Sequence, residues 1–139
     1  MKSFNKRSLK SGFTLIEMLV VIAMIGLLSA VLLVALGPSR KKAQDTRIIS
    51  DLNQVRNLME VNYNPSTGSY SSPYGSLNYT NLQNDIANNG GSLQASTTVS
   101  SYVYYSRLSS SPSSYYCVDS NGFSAIMTST PAVSRGVCQ

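Results

Sequence analysis

Residues 13–37 read FTLIEMLVVIAMIGLLSAVLLVALG, an apolar run that contains one charged side chain, Glu17. As an α-helix these 25 residues would extend about 37 Å, which is long enough to cross a bilayer. A charge inside such a helix is costly, so charged residues at these positions usually have a partner and a role. The run therefore predicts a membrane-spanning helix in which Glu17 pairs with another group.

Basic residues flank this run on both sides. Lys2, Lys6, Arg7 and Lys10 precede it, and the cluster at residues 40–42 follows it, as expected at a membrane boundary. An ordinary secretory signal has its small-residue cleavage site after the apolar stretch, whereas here Ser11-Gly12 lies before it. The net charge of +5 depends on the four leader residues, since without them seven basic residues face six acidic ones. The composition therefore argues against a general basic binding surface.

The 139 residues allow one membrane-associated segment and one small globular domain. The chain contains no histidine and six acidic residues, so it has few candidates for proton-transfer chemistry. We find no nucleophile–base constellation, no phosphate-binding glycine loop and no cluster of metal ligands in the sequence. These observations predict a protein that is not an enzyme, with no catalytic residues, cofactor or metal.

The segment from Lys10 to Ile22, KSGFTLIEMLVVI, closely resembles the amino terminus of type IV pilins and of the pseudopilins of type II secretion. The resemblance is strong over residues 6–37 and looser to about residue 72. It implies that a prepilin peptidase cuts after Gly12 and N-methylates the new amino terminus at Phe13. It also implies that Glu17 pairs with the terminal amine of a neighbouring subunit. Buried ion pairs are better attested as specificity devices than as sources of stability, so we assign Glu17 to assembly register and apolar packing to cohesion.

The same resemblance implies a location and partners. The chain would be a single-pass prepilin in the inner (cytoplasmic) membrane and then part of an extracellular filament, a helical homo-oligomer. Its partners would be the membrane before assembly, the prepilin peptidase, the pilus assembly platform in the membrane, and a host-surface or DNA ligand. The implied function is that of a structural subunit, the major pilin, of a type IV pilus used for attachment, twitching motility or DNA uptake.

Two alternatives stay open at this point. The first is a pseudopilin of type II secretion, which shares the amino-terminal motif. Major pseudopilins typically have an acidic calcium-binding loop near the carboxy terminus, whereas Asp119 is the only acidic residue here after residue 85. The second is a monomeric membrane-anchored adhesin or binding module, in which Glu17 is incidental.

The apolar run is followed by the pair Gly37-Pro38, at which we expect a kink, stretch or break. Many pilins carry this proline a few residues earlier, where the chain has Val34. Residues 39–63 then predict an amphipathic helix, because one face carries the apolar stripe Ile48, Leu52, Val55 and Met59. We expect the polar side chains on its other faces to remain hydrated, namely Asp45, Arg47, Asp51, Gln54 and Arg56.

The remaining sequence predicts an α+β fold, in which the long amino-terminal helix packs on a small antiparallel β-sheet head. Its predicted segments are a leader (1–12), an apolar helix (13–38), an amphipathic helix (39–63), a connecting loop (64–98) and a sheet region (99–139). The loop includes a short helix near Leu82 and Ile86. Strands are predicted at 99–107, 115–120 and 123–130. Cys117 and Cys138 are the only cysteines and would lie outside the cytoplasm, so we predict a disulfide between them.

Overall fold

The structure, a computed structural model, describes residues 12–133 and 136–139. Helix α1 (Leu15–Val61) begins after a short irregular segment, residues 12–14. It continues through Gly37 and Pro38 as uninterrupted helix, so the predicted alternative of two helices separated at this pair is wrong. A proline removes one N–H donor from the helix, and the surrounding hydrogen bonds can carry the helix past it. A kink at Gly37-Pro38 stays a prediction.

The chain divides into two compact units between Gly37 and Pro38. In the first unit, the large apolar side chains from Phe13 to Leu36 are all exposed, from 44% at Val20 to 82% at Leu15. Within the described part of the chain, α1 alone is long and apolar enough to cross a membrane by length and composition. Among the described residues, the large apolar side chains of this segment are therefore left uncovered.

The second unit, residues 38–139, is the head. It contains the end of α1, a two-stranded hairpin of β1 (Tyr63–Asn64) and β2 (Ser69–Tyr70), and helix α2 (Leu77–Asn88). Four antiparallel strands follow in the order β3 (Gln94–Thr97), β4 (Tyr102–Arg107), β5 (Tyr115–Asp119) and β6 (Ser124–Met127). The predicted α+β architecture, with a long helix packed on a small antiparallel sheet, is confirmed.

The main core of the head lies between α1 and one face of the sheet. The predicted apolar stripe of α1 is buried, with its four side chains at most 1% exposed. Tyr102 and Tyr104 on β4 and Val118 on β5 meet this stripe, and Tyr79 and Ile86 reach it from α2. Successive side chains of a strand point to opposite faces, which explains why Tyr102 and Tyr104 share this face.

A second, smaller cluster covers the opposite face of the sheet. Here Val103 and Cys117 pack against Cys138, with Val133 beside them. The disulfide between Cys117 and Cys138 is present, which confirms that prediction, and it joins two Cα atoms 6.1 Å apart. The carboxy-terminal segment is thereby held on the sheet, and the middle of β4 and β5 is buried on both faces.

Two polar residues of α1 are not hydrated as expected. Asp45 is 8% exposed and Asp51 is 6% exposed. The β4–β5 loop covers Asp45, whose Oδ1 accepts hydrogen bonds from the backbone N–H groups of Ser109 (2.6 Å) and Ser110 (3.1 Å). Asp51 lies on the side of α1 that helix α2 flanks. The spacing of residues within α1 cannot predict the burial of Asp45 or Asp51, because the segments that bury them are distant in sequence.

The strands also differ in part from the prediction. The first predicted strand starts at residue 99, but β4 starts at Tyr102, because a turn closes between Thr98 and Ser101 through a 2.8 Å bond from the Thr98 N–H to the Ser101 carbonyl. Strands β5 and β6 lie within the predicted segments. The short helix before Asn89 is confirmed as α2. Strand β3 and the β1–β2 hairpin were not predicted.

Candidate functional site: the amino-terminal end of helix α1

The predicted cleavage junction lies immediately before α1. Gly12, Phe13 and Thr14 have no regular secondary structure, and Phe13 is 79% exposed. Backbone outside regular structure is the kind that proteases can engage, because its N–H and C=O groups are not committed to a helix. The leader residues before Gly12, with the basic residues Lys2, Lys6, Arg7 and Lys10, lie outside the described residues.

Glu17 has a partner within its own chain. Its Oε2 accepts a hydrogen bond from the backbone N–H of Thr14 at 2.8 Å and from the Thr14 hydroxyl at 2.8 Å. In return, the Thr14 Oγ1 accepts from the Glu17 N–H at 3.3 Å. This reciprocal pattern is a capping box, in which Thr14 is the N-cap and Glu17 the third helical residue. The carboxylate also lies at the positive end of the helix dipole, which favours a negative charge there.

This partner was missed in the sequence. The sequence prediction gave Glu17 an oppositely charged partner, the amine of a neighbouring subunit, and did not include the Thr14 hydroxyl. The spacing Thr14-x-x-Glu17 at the start of an apolar run is itself a capping signal. The structure thus gives Glu17 an intramolecular set of donors. Its pairing with a neighbouring subunit stays a prediction.

The polar groups of the apolar segment are satisfied locally. Besides Glu17, the polar side chain between residues 15 and 36 is Ser29, whose hydroxyl donates to the Ile25 carbonyl at 2.8 Å. An unsatisfied polar group in hydrocarbon is costly, whereas one that bonds to its own helix is tolerated. Both polar side chains therefore have hydrogen-bond partners within the amino-terminal segment itself.

The arrangement contains groups for recognition and anchoring. Within residues 12–133 and 136–139, no three His, Cys, Asp or Glu side chains lie close enough together to hold a metal ion. The amino-terminal end contains an exposed Gly12–Phe13 peptide bond, the Glu17 carboxylate bound by Thr14, and a long apolar surface. Such a segment offers a peptide bond outside the helix and an apolar surface that lipid or another protein surface can cover.

Comparisons with known proteins agree with this geometry. Residues 7–33 match the family described as the prokaryotic N-terminal methylation motif, a range that includes Gly12, Phe13 and Glu17. The chain is 42% identical over 77 residues to the type IV wide pilus major component PilA4 of Thermus thermophilus. It is 37% identical over 55 residues to the type IV major fimbrial protein FimA of Dichelobacter nodosus. The chain therefore carries the amino-terminal methylation motif and is similar to two type IV pilus proteins over part of its length.

The similarity to these named pilins is partial. The alignment with the Thermus protein covers 55% of this chain and 58% of that one, and the alignment with the Dichelobacter protein covers 40% and 35%. No solved structure matches the chain significantly. The similarity of this chain to type IV pilins therefore rests on its methylation motif and on the two alignments, and its long apolar helix with a small antiparallel sheet agrees with that similarity.

The other predicted sites belong to other elements of the chain. Gly37 and Pro38 stand inside α1, at the boundary between the two units. Cys117 and Cys138 join β5 to the carboxy-terminal segment of the head. Glu17 is the one residue of the apolar segment whose placement suggests a chemical role beyond packing.

Proposed function

We propose that this chain is a structural subunit of a type IV pilus, made as a membrane-inserted prepilin and then polymerised into a surface filament. The observation that carries the proposal is the apolar surface from Phe13 to Leu36, which is exposed over its whole length and ends where the folded head begins. Exposed apolar patches of this size mark contact with lipid or with other protein surfaces. A filament subunit needs both contacts in turn.

In this proposal the prepilin peptidase cuts between Gly12 and Phe13 and methylates the new amino terminus at Phe13. The irregular backbone of residues 12–14 supports this step, because the bond to be cut lies outside the helix. The cut creates an ammonium group four residues from Glu17. A buried charge of either sign is poorly tolerated in hydrocarbon, and two opposite charges that meet reduce each other's cost.

The capping box gives Glu17 two successive roles in this scheme. In the membrane-inserted subunit, the carboxylate accepts from Thr14 and so avoids being an unpaired charge. During assembly, it accepts from the amine of a neighbouring subunit and sets the axial position of the incoming chain. The Thr14 bonds are charge-assisted but local, and a carboxylate has capacity for further donors at both oxygens. The two roles are therefore compatible.

The partners of the proposal follow from its steps. They are the membrane before assembly, the prepilin peptidase, the assembly platform in the membrane and further copies of this chain. Attachment, twitching motility and DNA uptake are the proposed uses of the filament. The named relatives are a pilus component and a fimbrial protein, both structural, which supports a structural role over an enzymatic one.

The carboxy-terminal loop argues for a pilin over a calcium-loop pseudopilin. Its one acidic residue, Asp119, is fully buried. Asp119 Oδ1 accepts from the backbone N–H groups of Asn121 (2.9 Å) and Phe123 (3.0 Å), and Oδ2 accepts from that of Cys138 (3.0 Å). A carboxylate occupied by three backbone donors has little capacity left for a metal ion. Its role here is to hold the loop in place.

Mass spectrometry of the native amino terminus tests the processing step. We expect the mature chain to begin with N-methylated Phe13. An amino terminus at Met1, or a cut after residue 30, would contradict the pilin proposal and favour an anchored monomer or an ordinary signal. The measurement needs no variant and can be made on membranes and on sheared surface material from the same cells.

The assembly role is tested in a strain whose only copy of the chain carries Glu17→Val. We expect normal cleavage and membrane insertion but loss of surface filaments by electron microscopy, because the incoming subunit lacks the acceptor for the neighbouring amine. The matched control is Ser29→Ala, which removes the other polar side chain of the same segment; its hydroxyl bonds to its own helix, so filaments should form. Normal filaments from the Glu17→Val strain would refute the register role.

A further inference from the structure

A groove in the head runs between helices α1 and α2. It is lined almost entirely by polar side chains, and most of them carry an oxygen: Arg47, Ser50, Asp51, Gln54, Asn81, Leu82 and Asp85. Apart from Leu82, which packs against the core of the head, these side chains are used neither by that core nor by the pilin assembly proposed above. The groove belongs wholly to the second unit, so it does not depend on the apolar segment.

One oxygen in this groove lacks a partner. Asp51 is only 6% exposed, and its Oδ2 is buried without any hydrogen-bond donor. Its Oδ1 accepts a 3.3 Å bond from the Gln54 side-chain amide. Buried polar atoms are nearly always paired with protein, water or an ion. The unpaired Oδ2 of Asp51 is therefore an acceptor that a water molecule or a cation in the groove can satisfy.

Asp85 on α2 is the second acidic side chain of the groove and lies close to Asp51. Burial, followed by the charge of the neighbouring Asp85, raises the pKa of Asp51 to about 6, while the Arg47 guanidinium acts in the opposite direction. Arg47 and Asp85 are the charged groups that α1 and α2 turn toward Asp51. The groove therefore places two carboxyl groups side by side, and their negative charges would repel each other.

We propose that this groove binds a divalent cation, which bridges the carboxylates of Asp51 and Asp85. Ser50 and Asn81 supply neutral oxygens at the same place, and water would complete the coordination. Carboxylates, amide carbonyls and water at flexible spacing suit Ca²⁺, which tolerates six to eight oxygens in varied geometry, better than Mg²⁺, which requires a near-ideal octahedron. The ion would fasten α2 to α1 and would stabilise the exposed side of the head.

A shared proton is the competing occupant. One proton between Asp51 and Asp85 would also remove the repulsion, without any metal. Because the folded pKa of Asp51 lies above its ordinary value of 3.8, the repulsion is fully present above about pH 6 and disappears as the pH falls toward 3.8. The two occupants are separated by the perturbation to which the head responds, since a cation acts through added metal at constant pH and a proton acts through acidification.

The test uses the full-length chain in non-ionic detergent at neutral pH. Thermal unfolding of the head is followed by near-ultraviolet circular dichroism of the nine tyrosines, all of which lie after residue 62. Relative to EDTA, Ca²⁺ at millimolar concentration, the affinity range of extracellular calcium sites, should raise the midpoint by about 5–10 °C. Equilibrium dialysis with radioactive calcium should show one bound ion per chain.

Two variants complete the design. Asp85→Asn should abolish the calcium response and should raise the midpoint in EDTA, because the amide removes the like charge beside Asp51. The matched control Asn84→Ala changes an exposed neighbour on α2 outside the groove lining and should keep the response. Absence of a calcium response in the unmodified chain would overturn the proposal, as would a response retained in Asp85→Asn. A gain in stability only on acidification would assign the groove to a proton.

Discussion

Asp119 holds the carboxy-terminal segment of the head, and its replacement by asparagine should strongly destabilise the head. Its carboxylate accepts three backbone hydrogen bonds from Asn121, Phe123 and Cys138 and is fully buried. Asparagine keeps one acceptor oxygen for the turn at Asn121 and Phe123 but presents an NH₂ group to the Cys138 N–H. A hydrogen bond to a charged group contributes about 1.5–3 kcal/mol, and an orphaned buried donor costs about 1–3 kcal/mol. Because the variant also relieves the buried charge, we expect a net loss of about 2–3 kcal/mol.

The assay is urea unfolding of the full-length chain in non-ionic detergent, read by tyrosine circular dichroism, because every tyrosine belongs to the head. With a urea slope of about 1.5 kcal/mol per molar, Asp119→Asn should lower the midpoint by about 1.5–2 M. Asp85→Asn in EDTA is the matched control, since the same chemical change should there raise the midpoint. A midpoint for Asp119→Asn that coincides with that of the unmodified chain would refute the reasoning, because the three amides would then not depend on the carboxylate.

Two further predictions concern the packing of the head. The Cys117–Cys138 disulfide closes a loop with a sequence separation of 21. Its reduction should lower the free energy of unfolding by about 3 kcal/mol. An unchanged urea midpoint in a fully reduced sample would contradict this expectation. Gly91→Ala should destabilise the head by about 1–3 kcal/mol, because the new Cβ would lie 2.6 Å from the Ser106 Oγ. The control is Gly37→Ala, whose Cβ would have no atom within 4 Å apart from its chain neighbours and the local helix backbone, so the unfolding of the head should be unchanged. Equal urea midpoints for the two glycine variants would show that the close approach at Gly91 relaxes without strain.

The elements that the sequence predicted well are those with a local signal. The length of the apolar run indicates a membrane-spanning helix, and the apolar residues from Ile48 to Met59 repeat at helical spacing. Both parts of α1 were therefore predictable. Strands β5 and β6 are bounded by turn residues and contain aromatic or aliphatic side chains. The disulfide followed from the presence of only two cysteines. In each case the information lay within a short window of the chain.

The elements that were missed depend on distant partners. Strand β3 has the sequence Gln-Ala-Ser-Thr, which favours no strand by itself, and it forms because it pairs with β4 from Gln94↔Tyr105 to Thr97↔Tyr102. Asp45 and Asp51 are buried by a loop and a helix that follow them by many residues. The Thr14–Glu17 capping box is different, since its signal was local. The prediction did not include it, because an opposite charge is the partner usually expected for a charged residue in a membrane helix.

The apolar segment and the core of the head have no residue in common. Every buried core residue in the described part of the chain lies at Asp45 or beyond it, so no side chain of the apolar segment contributes to the core of the head. Cleavage at Gly12, methylation at Phe13 and replacement of Glu17 should therefore leave the fold of the head unchanged. The tyrosine circular dichroism of Glu17→Val should coincide with that of the unmodified chain. Loss of filaments with an unchanged tyrosine signal would then place the defect in contacts between subunits. An altered tyrosine signal would show that the two units are coupled. It would also remove the basis for assigning Glu17 a role in register.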